Sequence, residues 1–103
     1  MKRFSVIYTL KQHYYQVYCD AMPEAKVVLQ EISGKQDYVP IGIYDAKTEL
    51  FAWEPRRQDK YDHAGIEEQG KLGNQIIGIA QALRYRDTER QRAGRPHRLN
   101  LFA

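Results

Sequence analysis

DYVPIGIYDAKTELFAWEP, residues 37–55, holds two runs of aromatic and β-branched residues, Tyr38 to Tyr44 and Glu49 to Trp53, joined by Asp45-Ala46-Lys47-Thr48. Such residues suit a pleated, half-buried surface. Asp45 suits the first position of a type I turn, so the stretch predicts a β-hairpin. Pro40 lacks the amide hydrogen that a central strand needs, and Gly42 weakens a strand interior. The first arm is therefore expected at a sheet edge or at a bulge.

Upstream, FSVIYTL (residues 4–10) and YYQVYCDA (14–21) flank a short polar KQH. The second run alternates Tyr15, Val17 and Cys19 against Tyr14, Gln16 and Tyr18, which predicts a second hairpin with two distinct faces. Between the hairpins, MPEAKVVLQEISG places Pro23 where a first helical turn tolerates it and Gly34 where helices stop, with Ala25, Val28, Leu29 and Ile32 at helical spacing. A short helix over 23–33 is the first expectation. Val27 and Val28 leave a strand open as the rival.

Downstream, EPRRQDKYD reads as a charged loop, with Asp62 as the cap of a helix whose first turns hold Glu67 and Glu68. Ile66, Ile77 and Ala80, widened by Leu72, Ile76, Ile79 and Leu83, form the apolar stripe of a long helix that covers the sheet. Gly70, Gly73 and Gly78 each cost such a helix about 1 kcal/mol relative to Ala. Either they permit close packing or the helix begins only near Asn74. Gly94 and Pro96 are expected to end it. The fold class is α+β: a small antiparallel sheet of about four strands in two hairpins, packed against a long C-terminal helix. Residues 1–83 are expected to form one globular domain, and 84–103 an arginine-rich helix extension and tail.

The 103 residues suffice for one modest core. No run approaches the roughly 18 uninterrupted apolar residues of a membrane span, and MKRFSVIYTL turns polar at Lys11 without a cleavage site. With only Cys19 for thiol chemistry, a soluble cytoplasmic protein without a multi-cysteine metal site is expected. GIEEQGK (65–71) has the glycine and lysine spacing of a phosphate-binding loop. It lacks a buried strand before it and a Ser or Thr after Lys71, and it carries Glu67 and Glu68 where phosphates would sit. Asp59, Asp62, His63 and Glu67 are hard ligands in one stretch, but a capped, solvated helix start accounts for them. Cys19, His13 and His63 do not assemble into a nucleophile and base on any local pattern, since Cys19 lies in an apolar strand. The expectation is a non-enzymatic protein with no cofactor and no metal.

Two features point to binding. The net charge of +3 is unevenly spread: residues 84–103 carry Arg84, Arg86, Arg90, Arg92, Arg95 and Arg98 against Asp87 and Glu89, a net +4, which leaves −1 for the rest. Arginine's planar fork matches phosphate and carboxylate, so these six are the candidate contacts to nucleic acid or to an acidic protein. The second feature is aromatic. Eight tyrosines and Trp53 are many for this length, and an exposed sheet face bearing Tyr14, Tyr15, Tyr38 and Trp53, with Arg56 and Arg57 nearby, is the candidate partner surface. Filling a half-buried sheet is the plain alternative for the tyrosines.

The chain closes RPHRLNLFA. Leu99, Leu101 and Phe102 can complete the core as a short strand, contact a second copy in a homodimer, or dock as an extended peptide after Pro96. Residues 98–102 resemble the Gln-Leu-Ser/Asp-Leu-Phe pentapeptide with which bacterial polymerases and repair proteins dock on the DNA sliding clamp. Leu99, Leu101 and Phe102 match, and Arg98 stands in place of the glutamine. The resemblance implies a protein partner for LNLF. Taken together, the sequence predicts a small binding module whose arginine-rich tail contacts nucleic acid or an acidic protein. The alternative is an interaction or inhibitor protein that uses the tyrosine-rich sheet face and LNLF.

Overall fold

The computed structural model describes residues 2–102, with side chains for residues 2–90. Four strands, β1 (Phe4–Leu10), β2 (His13–Cys19), β3 (Tyr38–Asp45) and β4 (Leu50–Trp53), form one antiparallel sheet in the order β2-β1-β3-β4. Three helices join them: α1 (Met22–Ser33), α2 (Pro55–His63) and α3 (Ile66–Phe102). The α+β class, both hairpins and the long C-terminal helix agree with the sequence.

Alternation along the strands splits the core in two. Phe4, Val6, Cys19 and Ile43 point to one face and close over Ala25, Leu29 and Ile32 of α1, which settles residues 23–33 as helix. Ile7, Ile41 and Tyr44 point to the other face and meet Ile76, Ala80 and Leu83 of α3. β1 is consequently buried on both faces at Phe4 through Ile7. Full burial of each such aliphatic side chain stabilises by about 1.5–3 kcal/mol, so the two clusters hold the sheet between helices.

Several local expectations are corrected. β3 is an interior strand, not an edge; Pro40 and Gly42 are accommodated by a bulge, where Ile7 pairs with Gly42 but Tyr8 pairs with Pro40, leaving Ile41 extra. The bulge turns Ile41 and Tyr44 to the same face, three residues apart. Gly42 is required by close approach, because a Cβ there would meet the Ala52 carbonyl and lie 2.6 Å from the Phe51 ring. EPRRQDKYD is not a loop but the start and body of α2: the Glu54 carboxylate caps it, accepting from the Arg56 and Arg57 amides at 3.0 and 3.3 Å, and Pro55 occupies the first turn. Its apolar content is too low to show a stripe, since only Tyr61 packs inward, on Trp53. Asp62 therefore lies inside α2, where it accepts from Gln58, and caps nothing. α3 begins at Ile66, not near Asn74, and its helical backbone runs past Gly94 and Pro96 to Phe102.

The turns carry their own constraints. β1 and β2 are joined through Lys11 and Gln12, both left-handed at φ 52° and 68°, the pair of conformations that matches the twist of a two-residue hairpin. In the second hairpin Asp45 accepts from the Lys47 amide at 2.9 Å, as its turn position predicts. Arg3 also grips Asp45, Nε and Nη2 donating at 2.8 and 2.7 Å. This hydrogen bonding holds the Asp45 carboxyl well below the usual carboxylate range, against the upward push of burial. The charged form is thus favoured by the fold. Its stabilisation is complete above the unfolded carboxyl value of about 3.9 and is lost as pH falls below it.

Two outcomes are expected. Asp45→Asn should lower the melting temperature at pH 7 and flatten its fall between pH 4 and pH 2, read by circular dichroism melts across that range. A Cβ at Gly70 or Gly78 meets nothing within 4 Å, so close packing does not explain these glycines. Gly70→Ala and Gly78→Ala should each raise stability by about 0.5–1 kcal/mol in urea titrations.

Candidate functional site

Hydrogen bonds from three residues of α3 define how it lies on the sheet. Gln81 Nε2 donates to the Tyr44 hydroxyl of β3 at 3.1 Å, Arg84 Nη1 donates to Ser5 Oγ of β1 at 2.6 Å, and Asp87 accepts from Gln16 and Tyr18 of β2 at 2.9 and 3.0 Å. Successive contacts are three residues apart and fall on successive strands. Three residues of helix rise about 4.5 Å, close to the strand spacing of about 4.8 Å. The axis therefore crosses the strands, one strand per contact, and reaches the edge strand β2 at Asp87.

The last crossing is a polar cluster. Gln16 Nε2 donates both to the Tyr18 hydroxyl and to Asp87, while the Tyr18 hydroxyl also donates to Asp87. Burial, then the bond to Asp87, pushes the Tyr18 phenol up to about 12. Arg84 spans the cluster, with its guanidinium 5.2 Å from the Tyr18 ring centre and Nη2 donating to the Lys2 carbonyl at 2.6 Å. Gln16 Oε1 is buried without a partner.

This geometry sorts the candidate arginines. Arg84 is committed to the fold through Ser5, Lys2 and Tyr18. Arg86 and Arg90 are exposed, Arg86 lying 3.6 Å from Asp87. Arg92, Arg95, Arg98, Leu99, Leu101 and Phe102 belong to α3, but their side chains lie outside the described residues, as does any docking by residues 98–102.

Arg86 and Arg90 line a slot of about 630 Å³ with His13, Tyr14, Tyr15 and the apolar Ile79 and Leu83. One wall is α3 and the other is β2. The strand is exposed at Tyr14 (37%), Tyr15 (40%) and Val17 (36%). It is also a bare edge: seven residues with no proline, no Lys, Arg, Asp or Glu, and no register shift against β1. Natural sheets usually blunt an edge with just those features. The opposite edge strand, β4, has only four residues and runs directly into Glu54 and Pro55.

The tyrosines divide as well. Tyr15, Tyr8 and Tyr38 stack across β2, β1 and β3 with centroids 5.7 and 5.5 Å apart, and the Lys35 ammonium sits 5.4 Å from the Tyr38 centre. Both faces of Tyr8 are taken by neighbours, and burial raises its phenol above the ordinary value. The row does not present open ring faces in series. Trp53 is enclosed by Phe51 and Tyr61 at 5.0 and 5.4 Å. Arg56 and Arg57 open α2, where Arg57 Nε donates to the Pro40 carbonyl at 3.3 Å. Cys19 is buried and its thiol pushed up by that burial, so it is a packing residue. His63 Nδ1 lies 2.7 Å from the Asp59 carbonyl one turn back, and among the described residues no three His, Cys, Asp or Glu side chains converge as metal ligands.

The slot was half legible. Arg86, Arg90, Tyr14 and Tyr15 stand out in the sequence by residue type, whereas His13 and Ile79 join them only because α3 runs across the strands. Replacing Arg84 tests that crossing. Arg84→Met leaves the fully buried Ser5 hydroxyl without its partner and should cost about 1–3 kcal/mol in urea titrations, while adding Ser5→Ala should recover part of the loss. Compared with known protein families, curated proteins and solved structures, the chain matches none.

Proposed function

We propose that the protein is a small binding module that captures an extended acidic segment of a partner protein, adding it to β2 beneath the arginines of α3. The observation that carries this reading is the coincidence of a bare strand edge with a cationic helix crossing over it. β2 offers unpaired backbone groups to an incoming strand. Arg86 and Arg90 stand at the slot above that edge, and an arginine fork pairs well with carboxylates. Main-chain pairing supplies affinity, the apolar floor of Ile79 and Leu83 takes alternate side chains, and the arginines select acidic ones.

The same cations suit phosphates, so nucleic acid is the competing ligand. The tyrosine row favours protein: base stacking needs exposed ring faces, and the faces of Tyr8 are covered by Tyr15 and Tyr38.

A labelled peptide of alternating Glu and Val and a labelled DNA strand separate the two ligands. The peptide is expected to slow hydrogen exchange at the outward amides of residues 13–19, and Arg86→Gln with Arg90→Gln to weaken it about tenfold or more at low salt. DNA binding that falls steeply with salt, with β2 exchange unchanged and no peptide binding, would replace this reading with the nucleic-acid one.

A further inference from the structure

A second cationic surface lies at the start of β3, apart from the slot and independent of the reading above. A cleft of about 300 Å³ opens between the end of α1, the beginning of β3 and the first turns of α2. Arg56, Arg57 and Lys60 line it, with Tyr38, Val39 and Pro40 as its floor. Arg56 and Lys60 are four residues apart on α2, and Arg57 and Lys60 three, so all three charges crowd one side of a helix of nine residues. Like charges at those spacings weaken a helix. Among the described residues none of the three is in an ion pair.

The cleft's one carboxylate does not relieve the crowding. Glu54 is 9% exposed and spends Oε1 on the Arg56 and Arg57 amides as the cap of α2. Arg57, which lines the cleft, is held there by the bond from its Nε to the Pro40 carbonyl. Lys35, seated over the Tyr38 ring, adds a cation beside the floor. Counting Glu54, the lining residues carry a net +2.

We infer that this cleft binds a small phosphate monoester, with the dianionic phosphate held by Arg56, Arg57 and Lys60 and the organic body lying on Tyr38, Val39 and Pro40. The volume sits at the lower end of the range for small-molecule sites, about 300–1,000 Å³. The charge matches a phosphate monoester above its second pKa of about 6, and planar guanidinium forks suit phosphate oxygens.

The test is a titration of the full chain with ribose 5-phosphate, inorganic phosphate and sulfate, followed by amide chemical shifts. Ribose 5-phosphate is expected to shift the amides of residues 33, 38, 39, 54 and 56–60 saturably. It should bind more tightly than phosphate or sulfate, and at least fivefold more tightly at pH 7.5 than at pH 5. Arg57→Gln and Lys60→Gln, both at solvent-accessible positions, should each weaken it about tenfold, while Arg90→Gln leaves it unchanged. Circular dichroism checks that the variants fold, and Lys60→Gln should melt no lower than the parent. Absence of shifts at 10 mM, equal response to sulfate, or shifts that survive both α2 substitutions would overturn the assignment.

Discussion

A helix that passes from strand to strand of a sheet needs a side chain of suitable reach at each crossing, and in this protein the central one is Arg84. Ser5 lies on β1 with its hydroxyl fully buried, a position that costs stability unless a donor arrives. Arg84 supplies it and carries on to the Lys2 carbonyl and the Tyr18 ring. With Gln81 one strand before and Asp87 one strand after, the contact sets the direction of α3. The burial of Ile76, Ala80 and Leu83 and the coverage of the second sheet face follow from that direction.

The same crossing makes the two edges of the sheet unequal. α3 arrives from the side of β4 and α2 and departs over β2, so Arg86 and Arg90 stand beside the edge strand that bears no blunting feature. At β4 the edge is short and α2 follows it at once, which gathers Arg56, Arg57 and Lys60 beside the first residues of β3. Cationic side chains are in this way presented at two separate places. One is the slot between α3 and β2 and the other the cleft between α1, β3 and α2.

Legibility in the sequence followed the strength of the local signal. The hairpin at 37–55 could be read because Asp45 both fits the turn and separates two β-rich runs. α1 stood undecided between helix and strand until Ala25, Leu29 and Ile32 were seen to share one buried side. α2 was missed because its stability comes from a cap and a proline, with a single aromatic contact and no apolar periodicity. Pro40 pointed correctly to a bulge and wrongly to an edge, since a bulge lets an interior strand dispense with one amide hydrogen.

By itself the sequence determined the α+β class, the two hairpins, the long C-terminal helix and the uneven charge, because each is written in side chains within a few residues of one another. Only the tertiary structure decided that α3 runs across the strands, that Arg84 belongs to the fold while Arg86 and Arg90 face outward, and that the tyrosines of three strands stack on one another. The physical reason is distance along the chain. Ser5 and Arg84 are 79 residues apart, Gln16 and Asp87 are 71 apart, and no local pattern of propensity or periodicity encodes which buried hydroxyl a remote arginine will reach.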